Sequence, residues 1–508
     1  MEMQLPQSFH FVSKSAPEGT LTDPALVVAD ALEIAAALRQ RGVRAGDRVA
    51  LWLLSGADQI AAMLGCWMAQ AAFCMLPSFA ARSNSDRARD RISDVISVLD
   101  PVLLVQAQGA LLPETVTAAL ATLVLASERT PVPVDNPVSF LPRDRAADDL
   151  AFVQFTSGST GGKPKGAEVR RAQLEANLDA LAARINMTSQ DRMMSWAPLY
   201  HDMGLMAVLL SLRHGADLVL METDHFVRRP TAWLETMSRY KATLTTAPPT
   251  ALKLLVRRQA KHIDLSALRY AWIGGEAVFP IVLQGFEDCY AAQGLRQGVL
   301  QPTYGMAETV VGISCGKTGS RWHAQQDIIS CGPPLDGMQV RIANDADETL
   351  ADGQHGHVLV RGPSVISGYF GLPRFDKTGW FDTGDLGFLW NGELFVSGRT
   401  KDVLKRGAES FTAALVEAIA EEALDLRTGR AAAFVNFLKE QGKEEIVLLV
   451  EARAWDQDQS KRVAAAVMKE LGLQIDTIRA TDGGRLPRTS SGKIMRQQTA
   501  KLYREGHI

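Results

Sequence analysis

The chain has 508 residues, 46% of them hydrophobic and 22% charged, and 54 Lys and Arg against 57 Asp and Glu leave a formal charge of -3. This is a globular composition, long enough for several domains of ~100–200 residues, and it excludes an intrinsically disordered chain. The near-neutral balance gives no electrostatic reason to expect a nucleic-acid partner, and five scattered cysteines without CxxC spacing fit free thiols in a reducing, cytoplasmic setting.

The N-terminal stretch MEMQLPQSFHFVSKSAPEGT lacks a basic segment followed by a continuous apolar core, so no signal peptide is expected. Apolar residues at helical spacing predict a helix over 26–40, and GVRAGDRVALWLL supplies a turn and a strand. Helices over 61–71 and 86–98 alternate with strands over 73–76 and 101–105. The apolar region 61–80 is broken by Gln70 and Pro77, so it reads as a buried helix and strand and no membrane span is expected.

A second series repeats the pattern. Helices over 171–184, 206–213, 231–240 and 249–257 each precede a strand, over 192–196, 216–221, 243–246 and 269–273. Such βαβ units predict a mostly parallel sheet covered by helices. From about Cys331 the texture changes to short, glycine-punctuated strands (QVRIA, GHVLVRG, GWFDTGDLGFLWNGELFVSGR), which suggest a compact antiparallel or β-barrel-like part attached to the sheets. Helices over 411–424 and 460–470 then mix with strands over 445–452 and 475–480. The expected fold class is α/β: a large N-terminal body over 1–398, followed by a small α+β C-terminal domain over 399–508.

The apolar strand over 150–155 runs directly into TSGSTGGKPKG. Gly158 and Gly161 let backbone N–H groups approach an anion closely, and the hydroxyls of Thr156, Ser157, Ser159 and Thr160, with Lys163 or Lys165, complete a cradle for phosphate oxygens. It is neither a P-loop, since Lys163 is followed by Pro164, nor a GxGxxG fingerprint. The bland alternative is a flexible surface loop.

Further segments follow in order: LYHDMGL from Leu199, GGEA from Gly274, TYGMAET from Thr303, TGDLG from Thr383, GRTKD from Gly398 and LPRTSSGKIMR from Leu486. With the glycine-rich loop they make seven motifs, and together they resemble the adenylate-forming superfamily, which contains acyl-CoA synthetases, luciferases, nonribosomal peptide adenylation domains and fatty acyl-AMP ligases. The resemblance implies ATP-dependent activation of a carboxylic acid to an acyl adenylate with release of pyrophosphate, followed by transfer to a thiol. It also implies that the small domain is mobile about a hinge at Lys401.

Residue by residue, the resemblance makes Lys493 the catalytic lysine of the small domain, a compact ammonium suited to oxygens shared between substrate and phosphate. It places Glu308 at Mg2+, with Thr160 as a second candidate. Tyr304 would stack on adenine, bordered by Gly275, Glu276, Ala277, Gly305 and Met306, while Asp385 would accept from ribose hydroxyls and Arg399 would donate to ribose and phosphate. His201 would lie near the carboxylate and α-phosphate. Asp202, Ala247, Pro248, Gly274 and Met306 are candidate pocket residues, and small, apolar walls favour an acyl chain or ring.

The LYHDMGL and HFVRRPTAWLETMSRYKATLTTAPP segments resemble fatty acyl-AMP ligases more than amino-acid-activating domains. The implied acceptor is the phosphopantetheine thiol of a carrier protein. Coenzyme A, a standalone amino-acid adenylating enzyme and a non-catalytic nucleotide-binding protein stand as alternatives. Two departures from the family pattern are visible. The segment between VVGISCGK and IISCGPPLDG is short, and GAESFTAALVE carries Ala413 and Leu415 where relatives have a proline and an acid.

Overall fold

The computed structural model describes residues 3–77, 86–108, 120–125, 146–155, 164–325, 328–375, 379–406, 409–438, 443–452, 455–489 and 492–508. Two helix-covered sheets dominate the body. The larger has eight strands in the order Ser314–Cys315, Leu300–Tyr304, Tyr270–Gly274, Leu244–Ala247, Arg192–Ser195, Asp217–Met221, Phe9–Val12 and Thr20–Thr22. All neighbours are parallel except the two outermost pairs. The second has six strands, Thr122–Leu125, Leu103–Ala107, Arg48–Trp52, Ala72–Met75, Leu150–Phe155 and Gly166–Arg170, antiparallel only at the last pair.

The inner strands Ala72–Met75, Asp217–Met221, Leu244–Ala247 and Tyr270–Gly274 are buried at every position. That is the signature of parallel strands covered on both faces, and it is why they show no alternation of polar and apolar side chains. One core joins the two sheets through the helices Pro24–Gln40, Ala57–Met68 and Asp202–His214, and a second lies under Thr231–Tyr240, Pro249–Arg257 and Pro280–Tyr290.

The glycine-punctuated region forms a four-stranded antiparallel meander, Gln339–Ala343, Gly356–Arg361, Phe381–Trp390 and Glu393–Arg399. The C-terminal part has its own core around Leu404, Val416, Ala431, Leu448 and Val463. It comprises the hairpin Val403–Arg406 with Glu409–Thr412, the three-stranded sheet Ala431–Leu438, Lys443–Glu451 and Thr477–Thr481, and the helices Ala413–Ala423, Gln457–Leu471 and Arg496–Arg504. Phe411, expected to open a helix, instead pairs with Leu404 in the hairpin, and the helix begins two residues later behind Thr412. An ion pair of 3.1 Å between Arg257 and Asp425 joins the body to this smaller part.

Candidate active site

Ligands of open α/β sheets gather beyond the carboxyl ends of the parallel strands, and the predicted residues converge there. Tyr270–Gly274 ends in Gly275, Glu276 and Ala277, Leu244–Ala247 ends at Pro248, and Leu300–Tyr304 delivers Tyr304, Gly305 and Met306. Gly274 is required by packing, since a Cβ there would sit 2.5 Å from the Thr303 carbonyl oxygen of the neighbouring strand. A Cβ on Gly275 would lie 3.2 Å from Cε of Met203, so this sheet edge faces the start of the helix Asp202–His214. From the other sheet, the side-chain amide of Gln154 donates to the Tyr200 carbonyl at 2.6 Å. The strand leading into the glycine-rich loop is thereby tied to the LYHDMGL segment.

His201 is the N-cap of that helix, its Nδ1 lying 2.6 Å from Oδ1 of Asp202, which in turn accepts the Met203 N–H at 2.7 Å. Burial raises the Asp202 carboxyl, but the neighbouring His201, the positive charge of Lys493 and the Met203 N–H together hold it below the ordinary aspartate value. The charge of Lys493, from the C-terminal part, is thus felt at Asp202 in the body.

Two phenol–carboxylate pairs stand in the same crevice. The Tyr304 hydroxyl donates to Oδ2 of Asp385 at 2.6 Å, and Nε of Arg399 lies 3.3 Å from Oδ1 of the same carboxylate. The Tyr369 hydroxyl donates to Oε1 of Glu308 at 2.7 Å, while the ammonium of Lys165 lies 5.1 Å from the centre of the Tyr369 ring. Asp385 and Glu308 are 6% and 7% exposed, and this burial raises both carboxyls. Arg399, together with the Tyr304 hydroxyl at Asp385 and the Tyr369 hydroxyl at Glu308, opposes the rise. Thr156, Ser157, Gly158, Ser159, Thr160, Gly161 and Lys163 lie outside the described residues.

Lys493 is carried on a tight turn. Its N–H donates to Oγ1 of Thr489 at 3.1 Å, its carbonyl accepts the Thr489 N–H at 2.8 Å, and Gly492 turns the chain at φ +86°, a left-handed conformation that favours glycine. Arg496 anchors the turn from behind. Nε and Nη2 donate to the two oxygens of buried Glu417, and Nη1 donates to Asp402, each at 2.7 Å. The side chain of Gln497 reaches the Lys401 carbonyl at 3.0 Å.

Tyr369, Arg496 and Glu417 were not singled out from the sequence. Arg496 closes the LPRTSSGKIMR motif and offered a signal, whereas Tyr369 meets Glu308 across 61 residues and Arg496 meets Glu417 across 79. Among the described residues no helix is long and apolar enough to cross a membrane, and no cluster of three or more His, Cys, Asp or Glu side chains is arranged around a metal position.

The sequence profile of the AMP-binding enzyme family matches residues 26–370. A protein of Caulobacter vibrioides (strain NA1000 / CB15N), carrying the provisional name acyl-CoA synthetase, is 29% identical over 97% of this chain and 91% of its own. The medium-chain-fatty-acid–[acyl-carrier-protein] ligase JamA of Moorena producens (strain JHB) is 30% identical over 72% of this chain and 69% of its own. A structure from work on the fatty acyl-adenylate ligases of E. coli and L. pneumophila superposes with a TM-score of 0.83 at 27% identity, covering 98% of this chain and 95% of that one. The chain belongs to the AMP-binding enzyme family, within the adenylate-forming ligase superfamily, whose members use ATP to activate a carboxylic acid to an acyl adenylate with release of pyrophosphate.

Proposed function

We propose that this chain activates a fatty or other apolar carboxylic acid and passes the acyl group to the phosphopantetheine thiol of a carrier protein. The observation that carries the reading is the convergence of Tyr304, Asp385, Arg399 and Glu308 beside the His201–Asp202 pair at the mouth of the body's parallel sheet, with the charge of Lys493, from the small C-terminal part, felt at Asp202. In the first half-reaction a substrate carboxylate oxygen bonds to the α-phosphorus as the bond to pyrophosphate breaks. The ammonium of Lys493 balances the charge that develops on those oxygens, and being held in place beforehand it needs no reorganisation. His201 flanks the same position. Tyr304 and Asp385 take the adenosine end, Arg399 the ribose and phosphate, and Lys165 with the loop 156–163 the remaining phosphates.

A lone buried carboxylate suits Mg2+ held jointly by protein and nucleotide phosphates, and does not suit a metal caged by the protein alone. Glu308 fits that description: it is buried, and burial raises its carboxyl against the opposing Tyr369 hydroxyl and Arg399. Glu308, with Thr160, would hold the ion, whose charge offsets that of the phosphates. In the second half-reaction the thiol sulfur bonds to the acyl carbon and AMP leaves. That step needs an open path to the adenylate. We assign residues 1–398 to adenylation and 399–508 to a unit that turns about Lys401 between the two steps.

The fatty acyl preference is supported by the likeness to JamA and to the fatty acyl-adenylate ligases. Coenzyme A is the second reading for the acceptor, favoured by the provisional acyl-CoA synthetase name of the Caulobacter relative. ATP–pyrophosphate exchange across a panel of fatty, aromatic and amino acids tests the substrate class. Mass analysis after adding CoA or phosphopantetheinylated carrier proteins tests the acceptor. A fatty acyl thioester of the carrier protein as the product supports the proposal, acyl-CoA alone replaces the carrier with CoA, and amino-acid-dependent exchange alone overturns the fatty acyl assignment. Lys401→Pro should spare exchange and slow thiol transfer, and equal losses in both would remove the hinge.

A further inference from the structure

The segment following the strand Gly356–Arg361 is held against the glycine-rich end of the body by several independent contacts. The Phe370 N–H donates to the Gly166 carbonyl at 2.7 Å, and the Glu168 N–H donates to the Gly368 carbonyl at 3.3 Å. Ala167 and Tyr369 form an antiparallel bridge. From the helix Arg171–Ile185, the Gln173 side chain donates to the Val365 carbonyl at 2.9 Å and to the Ser367 hydroxyl at 3.2 Å. The Ile366 N–H donates to the Glu308 carbonyl at 2.9 Å. These bonds fix the backbone on both sides of Tyr369 and so the direction in which its side chain leaves the chain, and the Phe375 ring packs edge-on against it at 5.3 Å.

That ring has two working surfaces. One face lies under the Lys165 ammonium, 5.1 Å from the ring centre, and the hydroxyl donates to Oε1 of Glu308 at 2.7 Å. Lys165 closes the glycine-rich loop, and Glu308 lies in TYGMAET, 143 residues further along the chain by subtraction of their numbers. A cation held on a π face and a carboxylate held by a phenol are both restrained in direction as well as position.

We propose that Tyr369 is a positioning residue for the phosphate end of the site: its ring orients Lys165 and its hydroxyl orients Glu308, setting the distance between a phosphate-binding cation and the carboxylate on the metal side. The role rests on the adenylation reading for its purpose, while the geometry stands without it.

Two substitutions separate the two surfaces. Tyr369→Phe keeps the ring and removes the hydroxyl, and Tyr369→Leu removes both. Three readouts are taken on the full chain: kcat and KM for ATP–pyrophosphate exchange over a Mg2+ titration, equilibrium binding of ATP in excess EDTA, and the melting temperature. Tyr369→Phe is expected to raise the Mg2+ concentration for half-maximal exchange about 10-fold, the order of a lost charge-assisted hydrogen bond. It should leave ATP binding in EDTA within about 2-fold of wild type, because the cation–π contact survives. Tyr369→Leu should additionally weaken ATP binding in EDTA about 5-fold. If Tyr369→Phe has wild-type Mg2+ dependence, or if both variants lose ATP binding in EDTA equally at an unchanged melting temperature, the assignment is overturned. A wild-type chain without exchange activity would instead remove the adenylation reading, and the EDTA comparison would still decide whether Tyr369 orients Lys165.

Discussion

The hydroxyl of Tyr304 donates a 2.6 Å hydrogen bond to Oδ2 of Asp385, joining the residue assigned to adenine with the one assigned to ribose. The bond leaves Oδ1, already near Arg399, as the oxygen oriented by an opposing charge. Tyr304→Phe should keep the stacking surface and lose this orientation. The expected result is a KM for ATP raised about 10-fold with little change in kcat, the pattern of binding lost equally from ground and transition states. Steady-state exchange kinetics check it, and a kcat loss at constant KM would speak against the assigned roles.

Arg496 is the only cation among the described residues that hydrogen-bonds both Glu417 and Asp402. Its removal leaves Glu417 buried with the Ala433 N–H at 2.9 Å but without its hydrogen-bonded counter-ion. Arg496→Ala should destabilise the C-terminal part by about 3–5 kcal/mol. Denaturant unfolding followed by a probe in that part would measure the loss, and Arg496→Lys should recover only a fraction of it because one ammonium cannot reproduce the forked geometry.

Glu421 offers a pH test. Burial lifts its carboxyl from the ordinary 4.5 to about 7, although it accepts the N–H groups of Arg430 and Ala431 through a single oxygen. A folded value raised above the unfolded one contributes stability that is full below about pH 4.5 and is lost as pH climbs through 7. Glu421→Gln retains an acceptor oxygen and cannot ionise. Relative to the variant, the wild type should lose on the order of 2 kcal/mol between those pH values. Parallel stability profiles would refute the shift.

Gly305 sits where the chain folds back after Tyr304. A Cβ there would lie 1.7 Å from the Val311 carbonyl oxygen, a backbone atom with no rotamer to escape into. Gly305→Ala should cost about 3 kcal/mol and abolish exchange. Gly285, inside the helix Pro280–Tyr290, is the control, because a Cβ added there would meet nothing within 4 Å. Gly285→Ala should stabilise slightly, by about 0.5–1 kcal/mol. Melting curves of the two variants suffice.

The helices Thr231–Tyr240 and Pro249–Arg257 agree with their predicted spans, because each carries a one-sided apolar stripe and follows a clear turn. The strand Phe9–Val12 was hidden in a polar start. It pairs with Asp217–Met221, with Phe9 opposite Leu218, and no local pattern encodes so distant a partner. Ala431–Leu438 was missed for a related reason: three consecutive alanines give neither alternation nor strong β-propensity, and pairing with Lys443–Glu451 supplies the order. The motifs pointed to Lys493, Glu308, Tyr304 and Asp385 as candidates because each lies in an unusual local string. Of the side chains that orient them, Tyr369 and Glu417 lie in segments of ordinary composition, and Arg496 opens a helix whose partners are far away in sequence. Only the tertiary fold brings these groups close.

The central claim is that an ammonium delivered by the C-terminal part acts at the α-phosphate. ATP–pyrophosphate exchange with the best acid from the panel, comparing wild type with Lys493→Ala at matched melting temperature, tests it directly. A fall of at least about 100-fold is predicted, the size expected for removing a preorganised charge from the transition state. Exchange within a few-fold of wild type would contradict the account.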